Sequence, residues 1–231
     1  MSFNPVVSAV TRIDGDSKNF YGSLNYSFNS TDRRMFPRRG NIGFAEVGVM
    51  FNRAHSVYAY KDSSELYDVS DLLSDSPITK VKFKWNTYYE TSDKLTLMHN
   101  IQASVDLNSA TDDKLFFFDN NYLGGVQTVL HNQMPFYGYL ETQINTPSFA
   151  SCMIGAQYKI YNELYLSFFA NIGASKVYYN DEWLDDQYMK FRSGASVQVG
   201  YNLSAFPIEF NFMYSPEVKD FVSHVSMGYN F

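Results

Sequence analysis

The sequence lacks several features that would place it in familiar protein classes. It has a single cysteine, Cys152, so an internal disulfide is excluded. No stretch reaches the roughly 18 consecutive apolar residues of a membrane-spanning helix, so a helical membrane protein is excluded as well. Lysine and arginine number 18 against 24 acidic residues, and the net charge of -6 gives no basic footprint for nucleic acid. The histidines show no ligand spacing, so neither a metal site nor a cofactor is predicted.

Aromatic residues, by contrast, are abundant. They form 18% of the chain, with 19 Tyr and 20 Phe but only 2 Trp, while the mean hydropathy is slightly negative at -0.29. Only alternate residues of a transmembrane strand face lipid, and Tyr and Phe collect at both membrane interfaces. The composition is therefore typical of a barrel in the bacterial outer membrane, in contact with its lipids.

Polar and apolar residues alternate with a period of two along many segments, as successive side chains of a β-strand do. The segments predicted as strands are 3–13, 20–28, 41–53, 80–89, 95–106, 136–146, 149–160, 164–173, 196–201, 206–212 and 219–231. Strands of a soluble sandwich usually run about five or six residues. Most of these keep an apolar face for about ten residues, which crosses a bilayer when the strand is tilted. The pattern favours a membrane barrel over a sandwich.

The predicted fold is all-β, a single transmembrane antiparallel β-barrel domain over residues 1–231. Because single-chain bacterial barrels have an even number of strands, we expect about twelve, in a range of about ten to sixteen. The additional strand is residues 54–61, a segment around Val126 to Leu130, or one upstream of residue 1. Asp14-Gly15 is predicted to be a hairpin turn. The longer polar connections, expected to be external loops, are 62–78, 108–135 and 175–189.

Three lysines lie on one face of a predicted strand. Lys80, Lys82 and Lys84 alternate with apolar residues that take the lipid face, so the lysine row is expected to point into the lumen. Inward charges need partners, and an internal ion-pair network is the preferred interpretation. The carboxylates expected to supply it are Glu46, Glu90, Glu141 and Glu209. The alternative is an anion-attracting constriction in a pore, because rings of Lys or Arg confer anion selectivity.

The last predicted strand places Met227, Tyr229 and Phe231 on one face. A strand of this kind that ends in an aromatic residue looks like the signal that barrel-insertion machinery recognises, so this machinery is an expected partner during biogenesis. His224 and Ser226 lie on the opposite face. No acid is evident near them, so we expect them to line the lumen rather than to form a nucleophile and its base.

Several short motifs carry a resemblance to a known family. They are Asp32 to Gly40, which includes Arg38, Arg39 and Gly40, then Leu123-Gly124-Gly125, Pro135 to Tyr139, Glu163 to Gly173, Pro207-Ile208-Glu209 and Met227 to Phe231. In these motifs the chain resembles the barrel of the bacterial surface-antigen superfamily, and it is most similar to the C-terminal barrels of patatin-like phospholipases from Bacteroidetes. The resemblance implies a membrane anchor or conduit for a patatin-like passenger domain that is not in this chain.

Two departures from the family's pattern bear on function. Patatin-like enzymes carry a Gly-x-Ser-x-Gly nucleophile motif in a separate α/β domain, and that motif does not occur here, so this chain is not expected to be an enzyme. The insertase branch carries an Arg-Gly pair on a loop that enters the lumen, whereas the comparable loop here has Leu123-Gly124-Gly125. The alternatives to the anchor are a self-standing channel or structural barrel, alone or as a homo-oligomer, and, less favoured, an insertase-like assembly factor.

Overall fold

The computed structural model describes residues 12–61, 65–68, 70, 75–107, 120–128, 130, 132–178, 187–203 and 206–228. The strands in these ranges are β1 (Arg12–Asn29), β2 (Gly40–Lys61), β3 (Glu65–Asp68), β4 (Ile78–Glu90), β5 (Leu95–Asp106), β6 (Asn121–Leu123), β7 (Gln133–Met134), β8 (Ile144–Thr146), β9 (Ser148–Tyr161), β10 (Leu164–Tyr178), β11 (Gln187–Asn202), β12 (Pro207–Ser215) and β13 (Asp220–Met227). Across the same ranges, no helix is long and apolar enough to cross a membrane.

Ten strands form one large antiparallel sheet. Its path runs β1-β2-β4-β5-β9-β10-β11-β12-β13, and β3 pairs with β2 beside this path. Among the described residues no ladder joins β1 to β13, so these two strands are the edges of the sheet. The all-β antiparallel fold expected from the alternation is confirmed, and ten strands lie at the lower end of the expected range.

The two faces of the large sheet are the reverse of those in a water-soluble protein. Leu24 and Ile154 point outward and are 82% and 68% exposed. Gln102, Ser104 and Asn211 point to the other face, here called the inner face, and are 3%, 1% and 1% exposed. Exposed apolar bands are unfavourable in water but suit a surface surrounded by hydrocarbon. This distribution disfavours the soluble sandwich.

The connections between strands differ at the two ends of the sheet. The short-turn rim carries the connections 30–39, 91–94, 162–163 and 203–206, and the long-loop rim carries 62–77, 107–147, 179–186 and 216–219. The longest connection joins β5 to β9 and contains β6, β7 and β8, which form a small sheet of their own in the order β7-β6-β8.

β2 is one continuous strand, although the alternation predicted a strand at 41–53 and offered 54–61 as a separate one. Its register with β1 slips between Lys18 and Phe20, and Asn52 has a φ of 50°. These are the marks of a β-bulge, in which asparagine tolerates the left-handed conformation. The bulge shifts the alternation by one residue, and the shift resembles a break between strands. The prediction of a separate strand at 54–61 is therefore wrong.

The predicted hairpin turn at Asp14-Gly15 is also wrong. Both residues lie inside β1 and pair with Tyr58 and Val57 of β2. A Cβ atom on Gly15 would lie 2.8 Å from the Val57 side chain, so this glycine permits a close approach of two strands rather than a turn. The predicted strand 3–13 lies outside the described residues except for its last two, which begin β1.

Residues 136–146 were predicted to form a barrel strand, and 126–130 were considered for another, but neither joins the large sheet. Phe136 makes only an isolated bridge to Gly125, and β8 belongs to the small sheet. Phe136, Tyr139 and Ile144 are buried in a cluster with Leu123, Met134 and Phe149. Because they pack together, they are not available to face lipid.

Candidate functional site

The described residues between 120 and 147, here called the inner segment, fold back from the long-loop rim against the inner face. The segment is fixed first to β5. Ser104 Oγ donates a hydrogen bond to Asn121 Oδ1 at 2.8 Å, and Asn121 Nδ2 donates to Asp106 Oδ1 at 3.1 Å. Further from the rim, Gln102 Nε2 donates to the carbonyl oxygen of Pro135 at 2.6 Å. Polar side chains of β5 thus hold both the start and the middle of the segment.

Tyr137 carries the inner segment across to β10 and β11. Its backbone amide donates to Asn171 Oδ1 at 3.0 Å, Asn171 Nδ2 donates back to its carbonyl oxygen at 3.4 Å, and its ring stacks on Phe169 at 4.8 Å. The Tyr137 carbonyl also lies so close to Gly194 that a Cβ atom there would collide with it. The main chain of the segment therefore rests directly on β11.

Glu217, in the turn between β12 and β13, receives the far end of the inner segment. Tyr139 donates its hydroxyl hydrogen to Glu217 Oε2 at 3.3 Å, and Ser193 and Ser215 donate at 2.9 and 2.6 Å. Partial burial acts to raise the pKa of Glu217, but these hydrogen bonds outweigh it and hold the pKa below its ordinary value. The contacts of the segment therefore extend from β5 to the last hairpin.

The lysine row lies on the inner face, and two of its members have carboxylate partners. Lys80 Nζ lies 2.9 Å from Asp106 Oδ2, and Lys82 Nζ lies 3.3 Å from Glu46 Oε1. All four side chains are buried. Glu46 was among the expected partners, but Asp106 was missed. Its position on the inner face of residues 95–106 was readable from the alternation, whereas its register opposite Lys80 was not.

The other expected carboxylates bind elsewhere. Glu90 Oε1 lies 2.6 Å from Arg38 Nη2 at the short-turn rim, and Glu209 Oε2 accepts a hydrogen bond from Ser226 at 3.2 Å. Neither forms an ion pair with the lysine row in the described part of the chain.

Lys84, the third lysine of the row, lines a cavity of about 250 Å³ between the inner segment and the 30–39 turn, here called the inner cavity. Within the described ranges its ammonium group has neither an ion pair nor a hydrogen bond. Glu209 and Arg34 also line this cavity.

The 30–39 turn is ordered by its own side chains. The backbone amides of Arg38 and Arg39 donate to Asp32 Oδ1 at 2.9 and 3.2 Å. Partial burial would raise the pKa of Asp32, but these amides and the Arg33 guanidinium hold the pKa below its usual value. Gly40 ends the turn with a φ of 108°, which favours glycine.

Phe36 brings the same turn over the inner face. Its ring stacks on that of Tyr165 with centroids 4.4 Å apart, and its carbonyl oxygen accepts a hydrogen bond from Gln157 Nε2 at 3.4 Å. The inner cavity is thus bounded by this turn on the side of the short-turn rim and by Pro135 and Tyr137 on the other side.

The Leu123-Gly124-Gly125 motif shapes the inner segment. Gly124 and Gly125 have φ angles of 135° and 76°, and a Cβ atom on Gly124 would collide with the Leu140 carbonyl. Leu123 lies in the apolar cluster. The motif and the Arg38-Arg39-Gly40 turn therefore lie on separate elements, which approach the inner cavity from opposite rims.

His224 and Ser226 point to the inner face, as expected, but the expectation that no acid lies near them is wrong. His224 Nδ1 lies 3.7 Å from Glu141 Oε1 of the inner segment, and the Ser226 hydroxyl donates a hydrogen bond to Glu209 Oε2. Each residue thus has its own carboxylate. Met227, of the expected insertion signal, points outward and is 65% exposed, while Tyr229 and Phe231 lie outside the described residues.

In the part of the chain that the structure describes, no three His, Cys, Asp or Glu side chains are grouped so as to hold a metal ion. A family model described as the OMP85 superfamily matches residues 9–231. A search of curated proteins finds no match to the chain.

Proposed function

Because the chain belongs to the OMP85 superfamily, we propose that it is an outer-membrane β-barrel domain over residues 1–231 that anchors a patatin-like passenger domain, or serves as its conduit. The coarser part of this proposal, a barrel of the outer membrane, is supported by the family and by the reversed faces of the sheet. The finer part is supported by the resemblance of the 30–39 turn and of the Leu123-Gly124-Gly125 motif to patatin-like barrels. No catalytic role is proposed for the chain.

The anchoring role is supported by the inner segment, which covers the inner face of the sheet. The inner segment bonds to Gln102 on one side and to Asn171 and Glu217 on the other. Side chains just fill the interior of a barrel of about eight strands, and one of about ten to twelve strands is only moderately wider. A segment fixed at several points across that interior leaves little room for a steady aqueous path, so holding another domain at the membrane is the better use of the barrel.

The orientation follows from the loops. Outer-membrane barrels have short periplasmic turns and longer external loops, so we place the short-turn rim in the periplasm. The 30–39 turn would then face the periplasm, and the insertion signal comprising Met227, Tyr229 and Phe231 would be read by the insertion machinery from the same side.

The lysine row fits a structural role within this proposal. Lys80 and Lys82 are each neutralised by a buried carboxylate, which favours the ion-pair network over an anion-selective constriction. The self-standing channel stays the alternative function, and the insertase is less favoured because its Arg-Gly pair is replaced here.

The test is the apparent mass of the polypeptide in native outer membranes, by immunoblot with an antibody against the barrel. A band larger than the chain's 26.6 kDa by about 100 to 200 residues or more, the size of a whole domain, supports the anchor. A band near 26.6 kDa would contradict it and favour the channel or structural barrel.

A further inference from the structure

Lys84 differs from the other two lysines of its row. Lys80 and Lys82 are both met by carboxylates, whereas Lys84 has no ion pair or hydrogen bond among the described residues. Lys84 is half-buried, and an ammonium group that has lost part of its hydration without gaining a partner is unfavourable. A partner that enters from solution would relieve that cost.

The other charged side chains of the described cavity lining are one cation and one anion. Arg34 lines it as well, and the one carboxylate of its described lining is that of Glu209. Glu209 is engaged by the Ser226 hydroxyl and forms no ion pair with Lys84. Two cationic side chains and one carboxylate therefore line the described cavity, and because Arg34 has an interaction of its own, an anion site here depends on Lys84.

The remaining walls offer neutral hydrogen-bonding groups. Asn86, Asn100 and Gln198 line the cavity, and amide side chains can donate to an oxyanion without adding charge. Its volume of about 250 Å³ suits a small solute rather than a peptide or an acyl chain.

From these observations we propose that the inner cavity binds a small oxyanion, a phosphate or carboxylate group, with the Lys84 ammonium as its principal partner. The site goes beyond the anchoring role and does not depend on a passenger domain. Failure of the anion site would leave the anchor untouched, because the mass of the native polypeptide tests the anchor independently.

The experiment is equilibrium dialysis of the full chain, refolded in an uncharged detergent, against radiolabelled inorganic phosphate at constant ionic strength. We expect saturable binding to the unaltered chain. Lys84→Met should weaken it by about tenfold or more, because methionine cannot donate the charge-assisted hydrogen bond that the ammonium group supplies. Lys84→Gln serves as a second variant should the first fail to fold.

Two matched variants make the result specific. Glu209→Gln removes the opposing carboxylate and is expected to tighten phosphate binding. Lys94→Met removes a lysine from the turn between β4 and β5, away from the described cavity lining, and should leave binding unchanged. The absence of saturable binding, or equal binding by the Lys84→Met chain, would overturn the proposal. A loss of binding in Glu209→Gln would do the same.

Discussion

Among single residues, the Lys80–Asp106 pair illustrates how the inner face tolerates charge. The two side chains are buried and 2.9 Å apart, and Asp106 also accepts a hydrogen bond from Asn121 of the inner segment. A buried pair adds little net stability, because desolvation offsets the attraction, but a single buried charge left behind is costly. The pair therefore constrains the fold through the penalty for breaking it.

We expect Asp106→Asn to lower the free energy of unfolding by about 3 kcal/mol, because Lys80 loses its counter-charge. The measurement is urea unfolding of the chain in lipid vesicles. The matched control is the double variant Lys80→Met/Asp106→Asn, which should recover part of the loss. Strictly additive effects of the two substitutions would show that the charges are not coupled.

Glu217 gives the attachment of the inner segment a pH dependence. Its pKa is lower in the folded protein than in the unfolded chain, so the unfolded state binds the proton more readily. The resulting stability is fully present above the unfolded pKa of about 4.3 and is lost as the pH falls through the folded value.

We therefore expect the unaltered chain to lose more thermal stability between pH 6 and pH 3 than Glu217→Gln does. Thermal melts of both chains across that interval measure the difference. Asp32→Asn should reduce the pH dependence in the same direction, because the pKa of Asp32 is also lowered. Identical pH profiles for the unaltered and Glu217→Gln chains would contradict the assignment.

At the scale of elements, the alternation of residues predicted most strands of the large sheet but not their full extent, since 20–28 covers only the second half of β1 and 196–201 only the last part of β11. β5 alternates buried residues with half-buried or exposed ones along its whole length, and the predicted strand 95–106 coincides with it. The prediction failed at the β2 bulge, where the phase shifts. It also failed at 136–146, whose apolar residues pack into a local cluster. Periodicity records which face is apolar, but it does not record what covers that face.

The site was predictable only in part for the same reason. The inward direction of Lys80, Lys82 and Lys84 follows from the parity of one strand. Their partners depend on the register between strands, which single-strand parity does not contain. The contacts of Tyr137 and Glu217 depend on the path of a long connection with little regular structure, so no pattern in the sequence indicates them.

Gly194 tests the packing of the inner segment on β11. Gly194→Ala places a methyl group against the Tyr137 carbonyl, a main-chain atom that cannot rotate away, and we expect a loss of about 1 to 3 kcal/mol. The matched control is Gly22→Ala on β1, where the nearest atom to the new methyl group lies 4.0 Å away. It should change stability by no more than about 0.5 kcal/mol.

Urea unfolding of both glycine variants provides the comparison, and protease sensitivity of residues 132–147 provides a second readout. The segment should become more sensitive in Gly194→Ala alone. Equal losses in the two variants would mean that the alanine at 194 acts through strand propensity and not through the inner segment.

At the scale of the whole molecule, the two faces of the large sheet have different roles. Apolar side chains such as Leu24 and Ile154 cover the outer face. Polar side chains of the inner face, such as Gln102 and Asn171, form hydrogen bonds with the inner segment. The interior therefore holds a segment of the same chain, an arrangement that supports the proposed anchoring role rather than steady transport.

Single-channel conductance of the purified chain in planar bilayers tests this central claim most directly, beside a variant in which residues 120–146 are replaced by a short Gly-Ser linker. We expect no steady open state for the intact chain and a steady open state for the variant, because removing the segment clears the interior. A steady pore of the same conductance in both chains would contradict this claim and assign the protein to the channels.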